Sequence, residues 1–513
     1  MKNVDEQPGK TGAHCVSMSH SDNGNRSLVD DLLAEQATLG TAVSQFSDWH
    51  EKRHAQPVQS RYYRDLIPLS KPAHGEQYAF EVNLDQCTGC KACVAACHSM
   101  NGLDDDESWR DVGLLVGDVY IPYQQTITTA CHHCADPACA NGCPVLAYHK
   151  DEDTGIVRHL DDQCIGCSYC ILKCPYDVPK FNKKRGIVRK CDMCQSRLAV
   201  GEAPACVQAC PTRAIAIRIV RVDRNTSPSL QSDGDFGASH LHLLPDTMSS
   251  GYTQPTTRYI STKPVPKSAM GADAQRPRVE EAHTPLAIML VLTQFATGAL
   301  MFAQTSAQLW IGCIAAVIGI NASIAHLGQP LKAWRCFLGW RKSWLSREIL
   351  AFGGFAPAAI AAALGLLPTW SAALIGALSV FCSVMVYVDT RRPYWSMAQT
   401  LPKFAGTTLV LGLALAACFD AKFAASCAFI AAMKLAWEAL MLSTSDGKTE
   451  RTKLLLFGPL RMMNLTRFVF GLIGAVLILQ SAPLGFACLL TGEFIERALF
   501  FRAAAAWKMP GNG

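Results

Sequence analysis

The sequence of 513 residues is poor in charge. Only 17% of its residues are charged, compared with about 25% in ordinary soluble domains, and half of its residues are hydrophobic. The formal net charge of +5 is too small to indicate a nucleic-acid partner. The length therefore predicts several domains, and the shortage of charge predicts that part of the chain lies outside water.

A recognisable export signal is also absent. Residues 1–25 contain no apolar stretch of signal-peptide length and no twin-arginine pair. We therefore expect a reducing compartment, where dense cysteine binds metal more often than it forms disulfides. Residues 1–76 form an N-terminal extension, in which the apolar spacing from Ser27 to about Arg53 predicts one or two amphipathic helices. These helices would pack on the chain's own globular part or dock on a partner subunit.

Cysteine is abundant, with 23 residues, and sixteen of them lie within residues 77–222 in four groups of four. The four groups are Cys87, Cys90, Cys93 and Cys97; Cys131, Cys134, Cys139 and Cys143; Cys164, Cys167, Cys170 and Cys174; and Cys191, Cys194, Cys206 and Cys210. The first and third groups have the C-x2-C-x2-C-x3-C spacing of ferredoxins. Sixteen thiolates match four [4Fe–4S] clusters, and β-rich pieces around Tyr78, His159 and Arg221 suit two ferredoxin-like α+β modules.

Zinc and disulfides are the alternatives for these cysteines. Paired C-x2-C motifs bind zinc, but a zinc site needs only two separated pairs and not three cysteines at successive x2 gaps. The stretch offers no catalytic nucleophile and no open metal site, so we interpret the clusters as a path for electrons. Residues 223–284, which are rich in Ser, Thr, Pro and Gly, predict an extended tether or wrapping arm.

Residues 285–507 contain eight apolar stretches, each long enough to cross a bilayer at roughly 20 residues per span. They begin near Leu286, Gln308, Glu348, Trp370, Phe404, Lys422, Leu465 and Leu484. This pattern predicts an all-α bundle of eight transmembrane helices after the α+β domain. Basic residues, including Lys403 and Arg467, concentrate in the loops after spans two, four and six. By the positive-inside rule that side, which holds the iron–sulfur domain, is cytoplasmic.

Histidine is scarce in this bundle, where only His326 follows His283. A membrane cytochrome b needs pairs of axial histidines, so we expect no haem and instead a direct transfer to quinone. Ionisable residues in a membrane are costly and usually functional. The candidates for the quinone site and its proton relay are His326, Glu348, Asp389, Glu438 and Glu493. Lys434 with Glu438, and Glu493 with Arg497, are spaced to form structural ion pairs instead.

The cysteine groups resemble the four-cluster iron–sulfur subunits of the molybdopterin oxidoreductases, which are the dimethyl sulfoxide reductase B-type subunits. The segments HLGQPLKAW (326–334), WRKSWLSREIL (340–350) and TGEFIERALFF (491–501) look like the dimethyl sulfoxide reductase anchor (C-type) family. Members of that family are haem-free, eight-helix, quinone-reactive subunits. The chain thus resembles B-type and C-type subunits fused end to end.

The resemblance implies how the cysteines are shared. In the B-type family the first group pairs with the fourth and the second with the third. The implied ligand sets are Cys87, Cys90, Cys93 and Cys210; Cys97, Cys191, Cys194 and Cys206; Cys131, Cys134, Cys139 and Cys174; and Cys143, Cys164, Cys167 and Cys170. A histidine and a glutamate at the positions of His326 and Glu348 belong to the quinol site of the C-type family. The resemblance also implies a molybdopterin-containing catalytic subunit as partner.

The fusion favours one direction of electron flow. Respiratory dimethyl sulfoxide reductases export their B-type subunit, which would be awkward for a domain tethered ahead of eight spans. Quinone-linked sulfite dehydrogenases are relatives that face the cytoplasm. We therefore expect a subunit of the bacterial inner membrane that passes electrons from a cytoplasmic catalytic subunit, with sulfite as the favoured donor, to quinone. The alternatives are a quinol-oxidising dimethyl sulfoxide, S- or N-oxide or polysulfide reductase, a structural anchor, and a redox sensor.

Overall fold

The computed structural model describes residues 60–118, 120–222, 242–443, 449–506 and 508–510, together with Leu32. Apart from Leu32, the amphipathic helices predicted between Ser27 and Arg53 lie outside these residues and stay a prediction. Residues 61–513 form one unit, in which the cysteine-rich part contacts the helical part directly.

A three-stranded sheet supports the cysteine-rich domain. The central strand β1 (Glu76–Asn83) pairs antiparallel with β8 (Ile215–Arg221) and parallel with β9 (Arg258–Ile260). Phe80 of β1 and Ile217 of β8 are buried on this sheet. Apolar side chains of both strands pack into the core, and strands form where the sequence predicted β-rich pieces around Tyr78 and Arg221.

Short strands and helices carry the cysteines between β1 and β8. The other strands are β2 (Asp111–Val116), β3 (Gln124–Thr129), β4 (Tyr148–Lys150), β5 (Val157–His159), β6 (Lys180–Asn182), β7 (Ile187–Arg189) and β10 (Met270–Gly271). The helices are α1 (Ser60–Tyr63), α2 (Ala92–Asn101), α3 (Ala138–Gly142), α4 (Tyr169–Lys173), α5 (Gln195–Ala199) and α6 (Ala205–Gln208). Strand β2 pairs with β3 and β10, while β4–β5 and β6–β7 are hairpins. The predicted α+β class is therefore confirmed.

The segment between the two domains is held in place by pairing with strands of the cysteine-rich domain. Within residues 242–283, β9 pairs with β1 and β10 pairs with β2. The Tyr252 hydroxyl donates a hydrogen bond of 2.9 Å to the carbonyl of Asp389 in the helical domain. This part of the chain therefore wraps the cysteine-rich domain and also contacts the helical one.

The helical domain consists of α7 (Thr284–Met301), α8 (Ser306–Ile324), α9 (Trp344–Ala363), α10 (Thr369–Val388), α11 (Met397–Phe419), α12 (Lys422–Ser443), α13 (Glu450–Phe457), α14 (Arg461–Leu477) and α15 (Ala482–Arg502). Among the described residues, the six helices α7–α12 are long and apolar enough to cross a membrane. The number of candidate spans rises to seven if α13 and α14, which meet at an 81° bend, are counted as one span. The charges of α15 lower its hydropathy, so the predicted count of eight spans is not confirmed and stays a prediction.

Several basic residues assigned to loops are instead inside helices, among them Lys403 and Arg467. Lys403 lies in α11 and Arg467 in α14, and both side chains are buried. Lys403 approaches Glu496 at 3.8 Å, and Arg467 pairs with Glu438. The loop assignment was wrong because buried carboxylates neutralise these charges, which hydropathy along the chain does not reveal.

Candidate functional site

The fold brings the first and fourth cysteine groups together. Cys87, Cys90, Cys93 and Cys210 line one cavity. The thiol of Cys97 instead interacts electrostatically with Cys206 and Cys194. Burial, followed by the nearby Cys206, raises the pKa of Cys97 to about 12. Fourth-group cysteines therefore lie beside both parts of the first group, as the resemblance implies.

The second and third groups meet in the same way. Cys139 interacts electrostatically with Cys174 and Cys131, while Cys143 interacts with Cys164. Burial raises the pKa of Cys143 to about 11, although hydrogen bonds from nearby backbone N–H groups oppose this. A buried thiol is a poor anion by itself, so Cys139 and Cys143 need a cation or cluster to become thiolates.

The donor sets fit [4Fe–4S] clusters better than zinc. All sixteen cysteines are free of disulfide bonds. In the part of the chain that the structure describes, no three His, Cys, Asp or Glu side chains are arranged to hold a single metal ion. Zinc would draw its sulfurs to about 2.3 Å from one centre. A cluster with four separate irons holds its four thiolates farther apart, and each set here consists of four cysteines.

Two buried cations lie among these cysteines. Burial lowers the pKa of Arg110, but Cys206 and Cys93 raise it by more, so its pKa lies above the ordinary value. The Lys190 ammonium lies 3.5 Å from the Cys131 sulfur and donates to the Cys191 carbonyl at 2.8 Å. Both cations offset the negative charge of the thiolates. The net charge around an iron–sulfur cluster is one of the factors that set its reduction potential. Neither cation was predicted from the sequence. The only sequence signal for Lys190 is its place before Cys191, and the sequence contains no signal for Arg110.

The membrane domain contacts the Cys164–Cys167 loop. The Gln329 N–H donates to the Ile165 carbonyl at 3.0 Å. The backbones of Gly186 and Gly328 approach so closely that a Cβ on Gly328 would lie 2.8 Å or less from the backbone of Gly186. The set Cys143, Cys164, Cys167 and Cys170 therefore lies at the membrane-domain side of the cysteine-rich domain.

Asp389 belongs to this same contact between the domains. The Lys173 ammonium donates to the Asp389 carboxylate at 2.7 Å and to its carbonyl at 2.9 Å. The Tyr169 hydroxyl donates to the Val386 carbonyl at 2.9 Å. Asp389, which the sequence predicted as a relay residue, thus forms an ion pair with the cysteine-rich domain.

His326 and Glu348 lie on neighbouring elements. His326 follows α8 directly, and its Nδ1 is buried without a hydrogen-bond partner among the described residues. Burial lowers the pKa of this imidazole. Glu348 is buried in α9 and accepts a hydrogen bond from the Ser383 hydroxyl of α10. No hydrogen bond or ion pair joins the two side chains within the described ranges, so their common site stays a prediction.

Glu438 and Glu493 lie in a separate buried charge network between α11, α12, α14 and α15. The network contains Lys403, Lys434, Glu438, Arg467, Glu493, Glu496 and Arg497. Lys434 pairs with Glu493 and approaches Glu438 at 3.9 Å. Arg497 approaches Glu496 at 3.5 Å. Lys434 and Glu438 therefore form the ion pair that their spacing predicted. Glu493 and Arg497 do not pair with each other, since Glu493 pairs with Lys434 and Arg497 with Glu496.

Comparison with known proteins agrees with both domains. Residues 123–219 match the model of the 4Fe-4S dicluster domain, and residues 281–442 match that of the DMSO reductase anchor subunit (DmsC). The sequence is 35% identical over 201 residues to YnfG, a probable anaerobic dimethyl sulfoxide reductase subunit of Escherichia coli K12, over 36% of this protein and 96% of YnfG. It is 40% identical over 151 residues to the B subunit of the anaerobic dimethyl sulfoxide reductase of the same strain, over 27% of this protein and 72% of that subunit.

A third relative shows that the iron–sulfur domain is also similar to the iron–sulfur subunit of another kind of enzyme. The formate dehydrogenase-O iron-sulfur subunit of Escherichia coli K12 is 35% identical over 157 residues, over 27% of this protein and 52% of that subunit. The apolar helices and the anchor match indicate an integral membrane protein. The chain therefore belongs to the dimethyl sulfoxide reductase family, in which it fuses an iron–sulfur B-type domain to a DmsC-type anchor and serves as the electron-transfer and membrane-anchor subunit.

Proposed function

We propose that this chain carries electrons between a molybdopterin-containing catalytic subunit and membrane quinone through four [4Fe–4S] clusters. The observation that carries the proposal is the arrangement of sixteen cysteines in four sets. One set includes the exposed Cys90, and another lies against the membrane domain at the Cys164–Cys167 loop. Such a row of clusters can pass single electrons from a docked subunit to the bilayer.

We infer the order of the clusters from the electrostatic contacts between the cysteine sets. The set with Cys90 is the outer end, where the catalytic subunit would dock. Cys191, of the second set, interacts electrostatically with Cys97 of its own set and with Cys131 of the third. Tyr148 lies near both Cys139 of the third set and Cys170 of the fourth. The fourth set is the end nearest the quinone.

His326 and Glu348 are the residues we assign to quinone and its protons. Two-electron reduction of a quinone also takes two protons, which an imidazole and a carboxyl group can exchange. His326 suits this role because its buried Nδ1 has no hydrogen-bond partner in the described part of the chain. The path for protons to Glu348 would include the Ser383 hydroxyl that contacts it.

Turnover of quinone tests this assignment. In membranes that contain the whole complex, Glu348→Gln and His326→Leu should each reduce quinone-linked turnover at least tenfold, because proton transfer by a positioned group contributes about 10²- to 10⁴-fold. The control Glu152→Gln, at an exposed position, should keep wild-type turnover. Unchanged turnover with normal cluster content in both variants would remove the assignment.

We favour quinone reduction with sulfite as donor at the cytoplasmic face of a bacterial inner membrane. Two of the relatives are named as dimethyl sulfoxide reductase subunits, which favours quinol oxidation as the second candidate. Adding sulfite to the oxidised complex should give reduced-cluster signals in electron paramagnetic resonance. Reduction of the clusters by quinol but not by sulfite would favour the second candidate.

A reporter fused after Gly513 tests the orientation in the membrane. A reporter that is active only outside the cytoplasm would contradict the cytoplasmic orientation.

A further inference from the structure

A short 3₁₀ helix, Pro330–Phe337, lies between two candidate membrane spans. Span α8 ends at Ile324, and span α9 begins at Trp344. The segment that connects them therefore starts and ends where the membrane meets water. A 3₁₀ helix has about three residues per turn, so its side chains align at steps of three and form three faces.

The inner face of this helix packs on the cysteine-rich domain. Cys336 is buried and shares one hydrophobic core with Cys143 and Cys164. Three residues further on, the Gly339 N–H donates to the Pro144 carbonyl at 2.8 Å. The inner face is thus occupied by the cysteine set nearest the membrane domain, and the other two faces point away from it.

The second face is apolar and exposed. Leu331, Trp334 and Phe337 follow each other at steps of three and are 93%, 66% and 47% exposed. The Trp334 and Phe337 ring centroids are 6.3 Å apart, and Trp340 continues the row as a further exposed ring. Aromatic side chains are enriched where a membrane meets water, and an apolar face at that level lies among acyl chains.

The third face and the turn that follows it are basic. Lys332 and Arg335 are three residues apart on the helix, and Arg341 and Lys342 are exposed just beyond it. None of these four side chains forms an ion pair with an acidic side chain among the residues that the structure describes. The Lys332 ammonium donates to the Asp162 carbonyl at 3.0 Å, which does not neutralise its charge. The positive charge of this segment is therefore available to an anion from outside the chain.

The two outer faces together select the class of ligand. A phosphate group accepts hydrogen bonds from Arg and Lys side chains, and acyl chains attached to it can cover Leu331 and Trp334. A zwitterionic phospholipid also carries an ammonium group, which the unpaired cations repel. A free phosphate would leave the apolar face in water. The combination therefore fits a phospholipid with a net negative charge.

We propose that the outer faces of Pro330–Phe337 and the turn after it bind an acidic phospholipid such as phosphatidylglycerol. Arg335, Arg341 and Lys342 bind its phosphate, and Leu331 and Trp334 contact its acyl chains. The lipid lies on the opposite side of the helix from the cysteine set nearest the membrane domain. The proposal requires that the helical domain lies in a membrane, and it does not depend on quinone as the electron carrier.

Lipid retention tests the proposal. The full chain is released from nanodiscs made of equal parts phosphatidylglycerol and phosphatidylcholine, and its bound lipids are counted by native mass spectrometry. The test variant is Arg335→Gln/Arg341→Gln/Lys342→Gln. One basic residue near an acidic membrane contributes about fivefold in affinity, so the excess of phosphatidylglycerol seen in the wild type should fall roughly tenfold or more.

A matched control removes the same charge elsewhere. Lys71→Gln/Lys263→Gln/Lys267→Gln replaces three exposed lysines outside the helical domain and should keep the wild-type excess. Equal retention of the two lipids in the wild type would overturn the proposal, and so would an undiminished excess in the test variant. An excess that disappears in the whole complex with the catalytic subunit would mean that this face contacts protein, which also overturns it. Quinone and clusters do not enter the measurement, so each of these failures leaves the proposed function standing.

A variant that keeps the charge guards against a general disturbance of the segment. Arg335→Lys/Arg341→Lys should retain the excess of phosphatidylglycerol, because both positive charges remain. Iron content and cluster spectra that match the wild type establish folding of every variant. Loss of the excess in a folded Arg335→Lys/Arg341→Lys would contradict binding by charge.

A last variant separates a phospholipid from a free anion. Leu331→Ser/Trp334→Ser removes two apolar contacts and keeps every cation. Because burial of each of these side chains against acyl chains is favourable, retention of phosphatidylglycerol should fall roughly tenfold or more. Full retention in this variant, together with release by inorganic phosphate, would indicate a site for free anions and overturn the proposal.

Discussion

Arg110 and Lys190 show how single buried charges adapt the cysteine-rich domain to its clusters. Both side chains are buried, and each lies among cysteines from two different ligand sets. A buried cation without a partner would be strongly destabilising. Anionic clusters beside them would offset this cost, and the charge of each cation should favour the reduced state of its neighbours, which carries one more negative charge.

Lys190→Met tests this effect at the level of one residue. The substitution removes a positive charge near Cys131 and should lower the reduction potential of the adjacent clusters. At about 6 Å and an effective dielectric constant of about 20, the Coulomb energy is about 3 kcal/mol, or on the order of 100 mV for one electron. Redox titration followed by electron paramagnetic resonance measures the shift. Lys184→Met, an exposed control, should leave the potentials within error, and equal potentials in Lys190→Met would contradict the role.

At the scale of elements, three pieces of the helical domain meet the second and third cysteine groups. The loop 327–329 contacts the Cys164–Cys167 loop, and the Ser343 hydroxyl at the start of α9 donates to the Gly142 carbonyl at 2.7 Å. Asp389, at the end of α10, pairs with Lys173 of α4. The contact thus fixes the fourth cluster set relative to the bundle through both backbone and charge.

Asp389→Asn distinguishes a docking role from a proton relay. Lys173 is buried, and replacing its charged partner by a neutral amide should reduce the free energy of unfolding by about 2 kcal/mol. A docking role predicts a lower thermal midpoint with quinone-linked turnover retained at low temperature. Turnover lost at an unchanged midpoint would instead establish a relay. Asp153→Asn, at an exposed position, is the control.

Gly328→Ala tests the close approach of the two backbones. The new Cβ would lie 2.8 Å or less from backbone atoms of Gly186, so the loops must separate, at a cost of about 1–3 kcal/mol. We expect slower electron transfer from the reduced clusters to quinone, measured by stopped-flow absorbance. Gly353→Ala is the matched control, because its Cβ would have no heavy atom within 4 Å. Equal rates in the two variants would show that the approach does not matter for transfer.

For the whole molecule, the fusion places both halves of the electron path in one chain. The covalent link and the contacts of Lys173, Gly328 and Ser343 keep the cluster domain at the bundle without a separate association step. Residues 242–283 strengthen the link, since β9 and β10 complete sheets of the cysteine-rich domain. We therefore expect the two halves to purify together at a fixed ratio of iron to protein.

Iron analysis checks the number of clusters. Four complete [4Fe–4S] clusters give about sixteen irons per chain. Cys90→Ala, at the exposed outer set, should lower the value by about four or convert that site to three irons, while Cys427→Ala, a helical-domain cysteine, should leave it unchanged. A wild-type value near twelve would mean that one site is empty.

The sequence by itself determined the two domains, the sixteen cysteines, the strands around Tyr78 and Arg221, and the positions of the long helices. These features depend on local spacing: thiolates a few residues apart, alternation in strands, and apolar runs of membrane length. Only the tertiary structure decided which charged side chains meet across the chain. It paired Glu493 with Lys434, buried Lys403 and Arg467 in helices, and placed Arg110 among the cysteines. Such partners lie tens of residues apart, and their contacts exist only once the elements have packed.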